Sequence, residues 1–313
     1  KEYQALLNGK DEKYLKDRGI DTTGNGYYTK EQLEEAKKKE GAVIVNAALS
    51  VAGTDKSAGG VAIAVNTVKN KFKAELNGKD KEVEEGKIRA KHVNVEAKSS
   101  TVVVNAASGL AVSKDAFSGM GSGAWQDLSN ETVAKVNKGR ISTDSLNVTA
   151  NNSVLGVNVA GTIAGSLSTA VGAAFANNTL HNKTSALITE TKVNSFSGKD
   201  TKINAQALND SHITNVSAGV AASVKQVGIG GMVSVNRGSD ETEALVSDSE
   251  FDGVNSVDVR AEDKKVLNTI AGNINGGQAA GVGATVAHTN IGKQSVTAAI
   301  KNSKITTAKN QDK

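Results

Sequence analysis

The sequence predicts an all-β chain, a right-handed parallel β-helix preceded by a small helical N-terminal segment. Three observations carry this prediction. An Asn recurs at 46, 105, 158, 215 and 268, at intervals of 59, 53, 57 and 53 residues, each time inside an apolar/polar alternation. The alternation has period 2, as in Val43/Val45, Val61/Ile63/Val65 and Val93/Val95, which is the pattern of half-buried strands. Composition is the third: 32 Gly, no Pro, one Trp and 3% aromatic residues among 313. Small side chains suit thin stacked layers. The absence of Pro leaves every strand N–H free for a ladder.

Residues 1–41 differ in texture from the rest. They are charged, and Lys10–Arg18 and Lys30–Lys39 read as short helices, with Glu31, Glu34 and Glu35 early and Lys37, Lys38 and Lys39 late in the second. Between them lies Asp21–Gln32, patterned like an EF-hand or dockerin calcium loop. Asp21, Thr23, Asn25, Tyr27 (through its carbonyl) and Thr29 fall at ligand positions 1, 3, 5, 7 and 9, and Gly26 takes the sharp turn. Calcium asks for six to eight oxygens, including a bidentate acid at the last position. Here that position is Gln32, with Glu31 one place early and Thr23 in place of an acid. A weak calcium site and a metal-free structural loop are the two readings.

From residue 42 to 313 the chain reads as about five repeats. After the Asn strand, a second strand ends near Asn66, Asn178, Asn236 and Asn290, with Trp125 in the corresponding place of the second repeat. A third carries Ala74, Ala134, Ala186, Ala244 and Ala298, each followed two residues on by Leu, Val or Ile. A fourth is Val93–Ala97, Leu146–Ala150, Ile203–Ala207 and Val257–Ala261. The fifth repeat stops before its fourth strand, and no signal-peptide pattern opens the chain, so it reads as a fragment. Lys79–Lys91 and the Gly/Ser-rich Asp115–Gln126 read as insertions on turns.

One such repeat has no helix to close it and too few large side chains for a core of its own. Stacking on its neighbours solves that problem. Equivalent columns then meet, and Asn residues form amide ladders. At roughly 20–27 residues per coil, from strands of about five residues plus turns, a repeat is two or three coils. Residues 151–182 and 266–292 carry no formal charge and are long enough to cross a membrane, but their polar content and alternation favour buried coil interior.

The chemistry expected is sparse. No Cys excludes disulfides and thiolate metal sites. A net charge of +4 with Lys and acids interspersed gives no nucleic-acid stripe. His92, His181, His212 and His288 show no ligand spacing, and Asp248 and Glu250 do not make the paired-acid cleft of a glycosidase. No catalytic residue is expected, and the chain reads as non-enzymatic.

The run Gly60-Val61-Ala62-Ile63-Ala64-Val65-Asn66-Thr67-Val68, followed by Ala74-Glu75-Leu76 and closed by Val93-Asn94-Val95-Glu96-Ala97, resembles the repeats of very large exported bacterial proteins. These are the haemagglutinin-like and leukotoxin-like exoproteins and autotransporter passengers of the fusobacterial type. The resemblance covers Gly41 to the end. It implies a β-helix in the medium or on the bacterial outer surface, acting in virulence as an adhesin for a host-cell receptor or glycan. As a leukotoxin segment it would instead be a toxin acting on host membranes. A monomer is expected, with membrane contact only in the toxin reading. No functional residues carry over. Binding is expected on the insertions and on residues 1–41.

Overall fold

The computed structural model describes residues 3–4, 27–28, 42–79, 87–198 and 201–307. The first strands, β1 (Tyr3–Gln4) and β2 (Tyr27–Tyr28), pair antiparallel. Every later pairing is parallel. Five coils follow, each built from two long strands: β3 (Ala42–Thr54) and β4 (Ser57–Asn77), β6 (His92–Ser113) and β7 (Phe117–Asn137), β9 (Ser145–Ser166) and β10 (Thr169–Thr189), β12 (Thr201–Ser223) and β13 (Val227–Ser247), β14 (Glu250–Gly276) and β15 (Ala280–Lys301). Short strands β5 (Ile88–Arg89), β8 (Arg140–Ser142), β11 (Lys192–Asn194) and β16 (Lys304–Thr307) sit between coils. The order β3-β6-β9-β12-β14 makes sheet B, which the short strands extend through the first residues of β14. The order β4-β7-β10-β13-β15 makes sheet C.

The fold is the parallel β-helix the sequence predicts, with one correction of scale. Each repeat is a single coil, not two or three. The fourth strand of one repeat and the first of the next are one continuous strand, as in β6, which holds both Val93–Ala97 and Asn105. The second and third strands likewise fuse, as in β10. No breaker interrupts these 21–27-residue strands. The expected helices at Lys10–Arg18 and Lys30–Lys39 lie outside the described residues.

Register corrects three further expectations. Asn46, Asn105, Asn158 and Asn215 do stack, but the fifth member is Thr269, one past Asn268. In sheet C the Asn66/Asn178/Asn236 column continues through Gln126 and Thr289, not Trp125 and Asn290. A slip of one residue reverses the face. Gln126 is therefore buried and Trp125 is 47% exposed. Asp115–Gln126 is not an excursion: Phe117–Gln126 pairs residue for residue with both neighbours. Glycines there pass as ordinary strand residues because the flanking positions still alternate. The Ala74/Ala134/Ala186/Ala244/Ala298 column stacks as read.

Each coil is a wedge. At its tip a short turn joins the long strands, and the interior is lined by small residues, its hydrophobic part mostly alanine, including Ala58, Ala62, Ala107, Ala124, Ala160 and Ala174. Midway the lining becomes Val68, Val103, Leu128, Val154, Leu180 and Ile213. At the base the short strands open a third side, filled by Ile141, Leu146, Val193, Ile203 and Phe251. Side-chain size thus grows with the gap, as close packing requires. Leaving the base strand, the chain turns through Lys138, Glu190, Asp248 and Asn302, all at positive φ between 48° and 54°. The N–H groups of Lys138, Glu190 and Asp248 each reach the next coil, as from Lys138 to the Thr189 carbonyl at 3.1 Å.

Candidate functional site

Five of the six loop positions proposed for calcium, Asp21, Thr23, Asn25, Thr29 and Gln32, lie outside the described residues. Tyr27 belongs to strand β2. Among the described residues no group of three or more His, Asp or Glu is placed to hold a metal. Most of the Lys79–Lys91 insertion also lies outside them.

The tip half of the wedge is where the surface departs from expectation. Alternation sends every second residue outward. On sheet B the outward columns from Val102, Leu155, His212 and Val266 to Val112, Gly165, Ala222 and Gly276 contain no Asp, Glu, Lys or Arg. Sheet C is equally uncharged from Ser57, Phe117, Thr169, Val227 and Ala280 to Val65, Trp125, Asn177, Val235 and His288. Large side chains stand on these faces: Leu49 is 75% exposed, Val45 70% and Ile63 65%. The uncharged runs are therefore only half interior, and this corrects the sequence reading of them. The wedge is inverted here, with alanine inside and Val, Leu and Ile outside.

The band has sharp borders. Toward the base, sheet C resumes charge at Asp127 and Arg237, and sheet B at Asp210 and Lys264. The two borders are offset by about three residues, roughly 10 Å: Thr101, beside the sheet B border, hydrogen-bonds Asn130, three residues past Asp127. At the tip, Asp55, Lys56, Lys114, Asp115 and Lys225 occupy the turns, with Lys114 and Asp55 paired at 2.9 Å. From Leu155 to Gly165 the band is about 33 Å tall at roughly 3.3 Å per residue. Trp125 and Phe175 meet on it at 6.0 Å between ring centres. No helix among the described residues is long and apolar enough to cross a membrane.

The base half of sheet C carries a polar groove lined by Ser129, His181, Ser239, Glu131, Lys183 and Glu241 among others. His181 Nδ1 lies 2.5 Å from Ser239 Oγ. Lys71, Glu131, Lys183 and Glu241 form one column of alternating sign, with Lys71–Glu131 at 2.8 Å and Lys183–Glu241 at 3.2 Å. The Lys71 ammonium, hydrogen-bonded to it, holds the Glu131 carboxyl below its ordinary value. Among the described residues no carboxylate is hydrogen-bonded to His181. The His–Ser contact therefore offers hydrogen bonds to a polar ligand without the third group of a nucleophile relay. The alternating column was readable: each charge stands three residues before its repeat's alanine.

Of the other histidines, His212 pairs with Asp210 at 3.0 Å on the sheet B surface. His288 lies in Trp125's outward row. Asn130, which opens an Asn-x-Thr sequence, is 2% exposed inside the coil, and a glycan has no access to it. No family model matches this chain, and no curated protein or solved structure matches it either.

Proposed function

We propose that this chain is a non-enzymatic segment of an exported bacterial virulence protein, a rigid β-helical scaffold for adhesion to a host-cell surface receptor. One observation supports the reading above the others: the uncharged outward faces of the wedge tip. Contiguous apolar patches beyond a few hundred Å² mark interaction sites on soluble proteins. Sheet B alone presents five coils at about 4.8 Å spacing over the band's height, about 800 Å² before side-chain relief. That is the area each partner contributes to a standard protein interface. The Trp125–Phe175 pair is the kind of aromatic anchor that dominates such contacts. The test is binding of the purified chain to host cells, with Val45→Lys, Ile63→Lys and Ile163→Lys as variants. All three side chains are more than half exposed, so folding should survive. Binding is expected to be lost. Undiminished binding by all three overturns the reading.

A second reading, action on host membranes, draws on the band's height. About 33 Å on sheet B matches the roughly 30 Å hydrocarbon thickness of a bilayer. Dye release from liposomes by the wild-type chain, abolished in Ile163→Lys, would favour it over adhesion. Cell binding without release would favour adhesion.

A further inference from the structure

Three charged side chains are placed inside the coil where earlier coils are neutral. Asp240 continues the inward column Asn70, Asn130, Asn182. Asp263 continues Ser99, Asn152, Asn209. Lys265 continues Thr101, Val154, Ser211. They meet across the interior between β13 and β14. Lys265 Nζ lies 2.9 Å from Asp240 Oδ2, with the two side chains 2% and 0% exposed. Nζ has no other acceptor among the described residues. The Lys265 side chain runs against Gly238, where a Cβ would stand 3.3 Å from Lys265 Cδ and 3.4 Å from Nζ.

The rest of the cluster is ordered around the carboxyl of Asp240. Its Oδ1 accepts the backbone N–H of Asn182 at 3.2 Å, and its Oδ2 accepts Asn209 Nδ2 at 2.9 Å. Asn209 Nδ2 also donates to Asp263 Oδ1 at 2.6 Å, and Gln294 Nε2 donates to Asp263 Oδ2 at 3.2 Å. Burial raises the Asp240 carboxyl above its ordinary value, even against the opposing pull of Lys265. A buried ion pair of this kind recovers its desolvation cost poorly. A reaction that removes both charges relieves that cost.

We propose that Lys265 and Asp240 are joined by an intramolecular isopeptide bond between Nζ and Cγ, formed without any added reagent. Proton transfer within the pair gives a neutral amine and a neutral acid. The Nζ lone pair attacks Cγ, forming the N–C bond, while the carbonyl electron pair moves to oxygen. The Asn182 N–H faces that oxygen, as a donor that stabilises the tetrahedral adduct must. The adduct collapses by breaking the other C–O bond, and the hydroxyl leaves with a proton from nitrogen. One amine and one carboxylic acid become one amide and one water, with nothing oxidised or reduced. Asp263 is a positioning residue: its Oδ1 holds the Asn209 amide that donates to Asp240 Oδ2, while the leaving proton passes directly from nitrogen to the departing hydroxyl. The bond clamps sheet B to sheet C and is independent of the adhesion reading.

Mass spectrometry of the purified 313-residue chain tests this directly. The expected intact mass is one water below the sequence mass. Trypsin should release a branched peptide joining Gly238–Arg260 to the segment that carries Lys265. Lys265→Arg, which keeps the charge, should restore the full sequence mass. Asp263→Asn should fold with unchanged circular dichroism yet close the bond roughly 100-fold more slowly, the scale of a misplaced reacting group. Asp263→Glu should recover closure. A wild-type chain at full sequence mass, with the two peptides separate, overturns the proposal. So does a water loss that maps to any other residue.

Discussion

Asn158 donates its amide to Asn215 Oδ1 at 2.8 Å, one coil along the stack, and accepts from Asn105 at 2.9 Å on the other side. The same Nδ2 also reaches the carbonyls of Ala124 at 3.1 Å and Asn177 at 2.9 Å on sheet C. The ladder therefore ties coil to coil and sheet to sheet, in a region where the apolar interior is mostly alanine. Asn158→Ala leaves buried polar groups without partners, and each orphaned group costs about 1–3 kcal/mol. Urea unfolding should show a loss in that range. Asn158→Asp should be worse at neutral pH, because a carboxylate accepts but cannot donate to those carbonyls.

Gly219 faces Met232 across the coil, and a Cβ on Gly219 would overlap the methionine methyl. The pairing of a glycine with a long flexible side chain fills the gap that an alanine pair fills elsewhere. Gly109 and Met120 repeat it two coils earlier. Gly219→Ala should overpack the interior by about 1–3 kcal/mol. In Gly219→Ala/Met232→Leu the shorter side chain should recover part of that loss. The two substitutions would then be non-additive in a denaturation cycle, as contacting residues are.

The inverted tip gives a prediction that runs against ordinary residue preferences. Ile163 is 52% exposed and its neighbour Ala164 is 1% exposed. Ile163→Ser should change stability by no more than about 0.5 kcal/mol. Ala164→Leu, a more hydrophobic residue at a buried site, should destabilise by about 1–3 kcal/mol because no space receives it. Thermal melts of the two variants check the assignment of faces, and the reverse order would refute it.

Much of this architecture was legible, and the failures have a physical source. The Asn and Ala columns identify a stacked sheet because strands repeat with period 2 and coils with a fixed length. Coil number was misjudged because strand length was taken from ordinary sheets. Nothing in Thr169–Thr189 marks its continuity except the lack of a breaker. Trp125 was read into the column of Asn66, Asn178 and Asn236 by its place in the repeat, one residue out of register, whereas its parity with Gly123 and Asn177 sends it out. The uncharged band stayed hidden for a related reason. Uncharged alternation such as Val157-Asn158-Val159-Ala160 suggests valine inside, yet the small and polar partners face the interior. The Asp240–Lys265 pair joins residues 25 positions apart on opposite sheets, and only the register brings them together.

The alternating column on sheet C carries a pH signature. Lys71 and Glu131 form a hydrogen-bonded ion pair at 2.8 Å in solvent. The hydrogen bond to Lys71, more than charge alone, lowers the Glu131 carboxyl from its ordinary value, and Lys73 and Lys183 add to the effect. In turn the bond to Glu131 raises Lys71. A carboxyl lowered in the folded state adds stability above its unfolded value, and that stability is lost as pH falls through the folded one. A raised lysine adds stability below its unfolded value, lost as pH rises through the folded one. The pair therefore contributes across the neutral range and fails at both extremes. Lys71→Met should move the Glu131 carboxyl resonance upward in an NMR titration toward the ordinary glutamate range, and should soften the acid limb of the stability curve. The shift should shrink in high salt, because exposed pairs are screened. A Glu131 titration unchanged by Lys71→Met would show that another group holds the carboxylate.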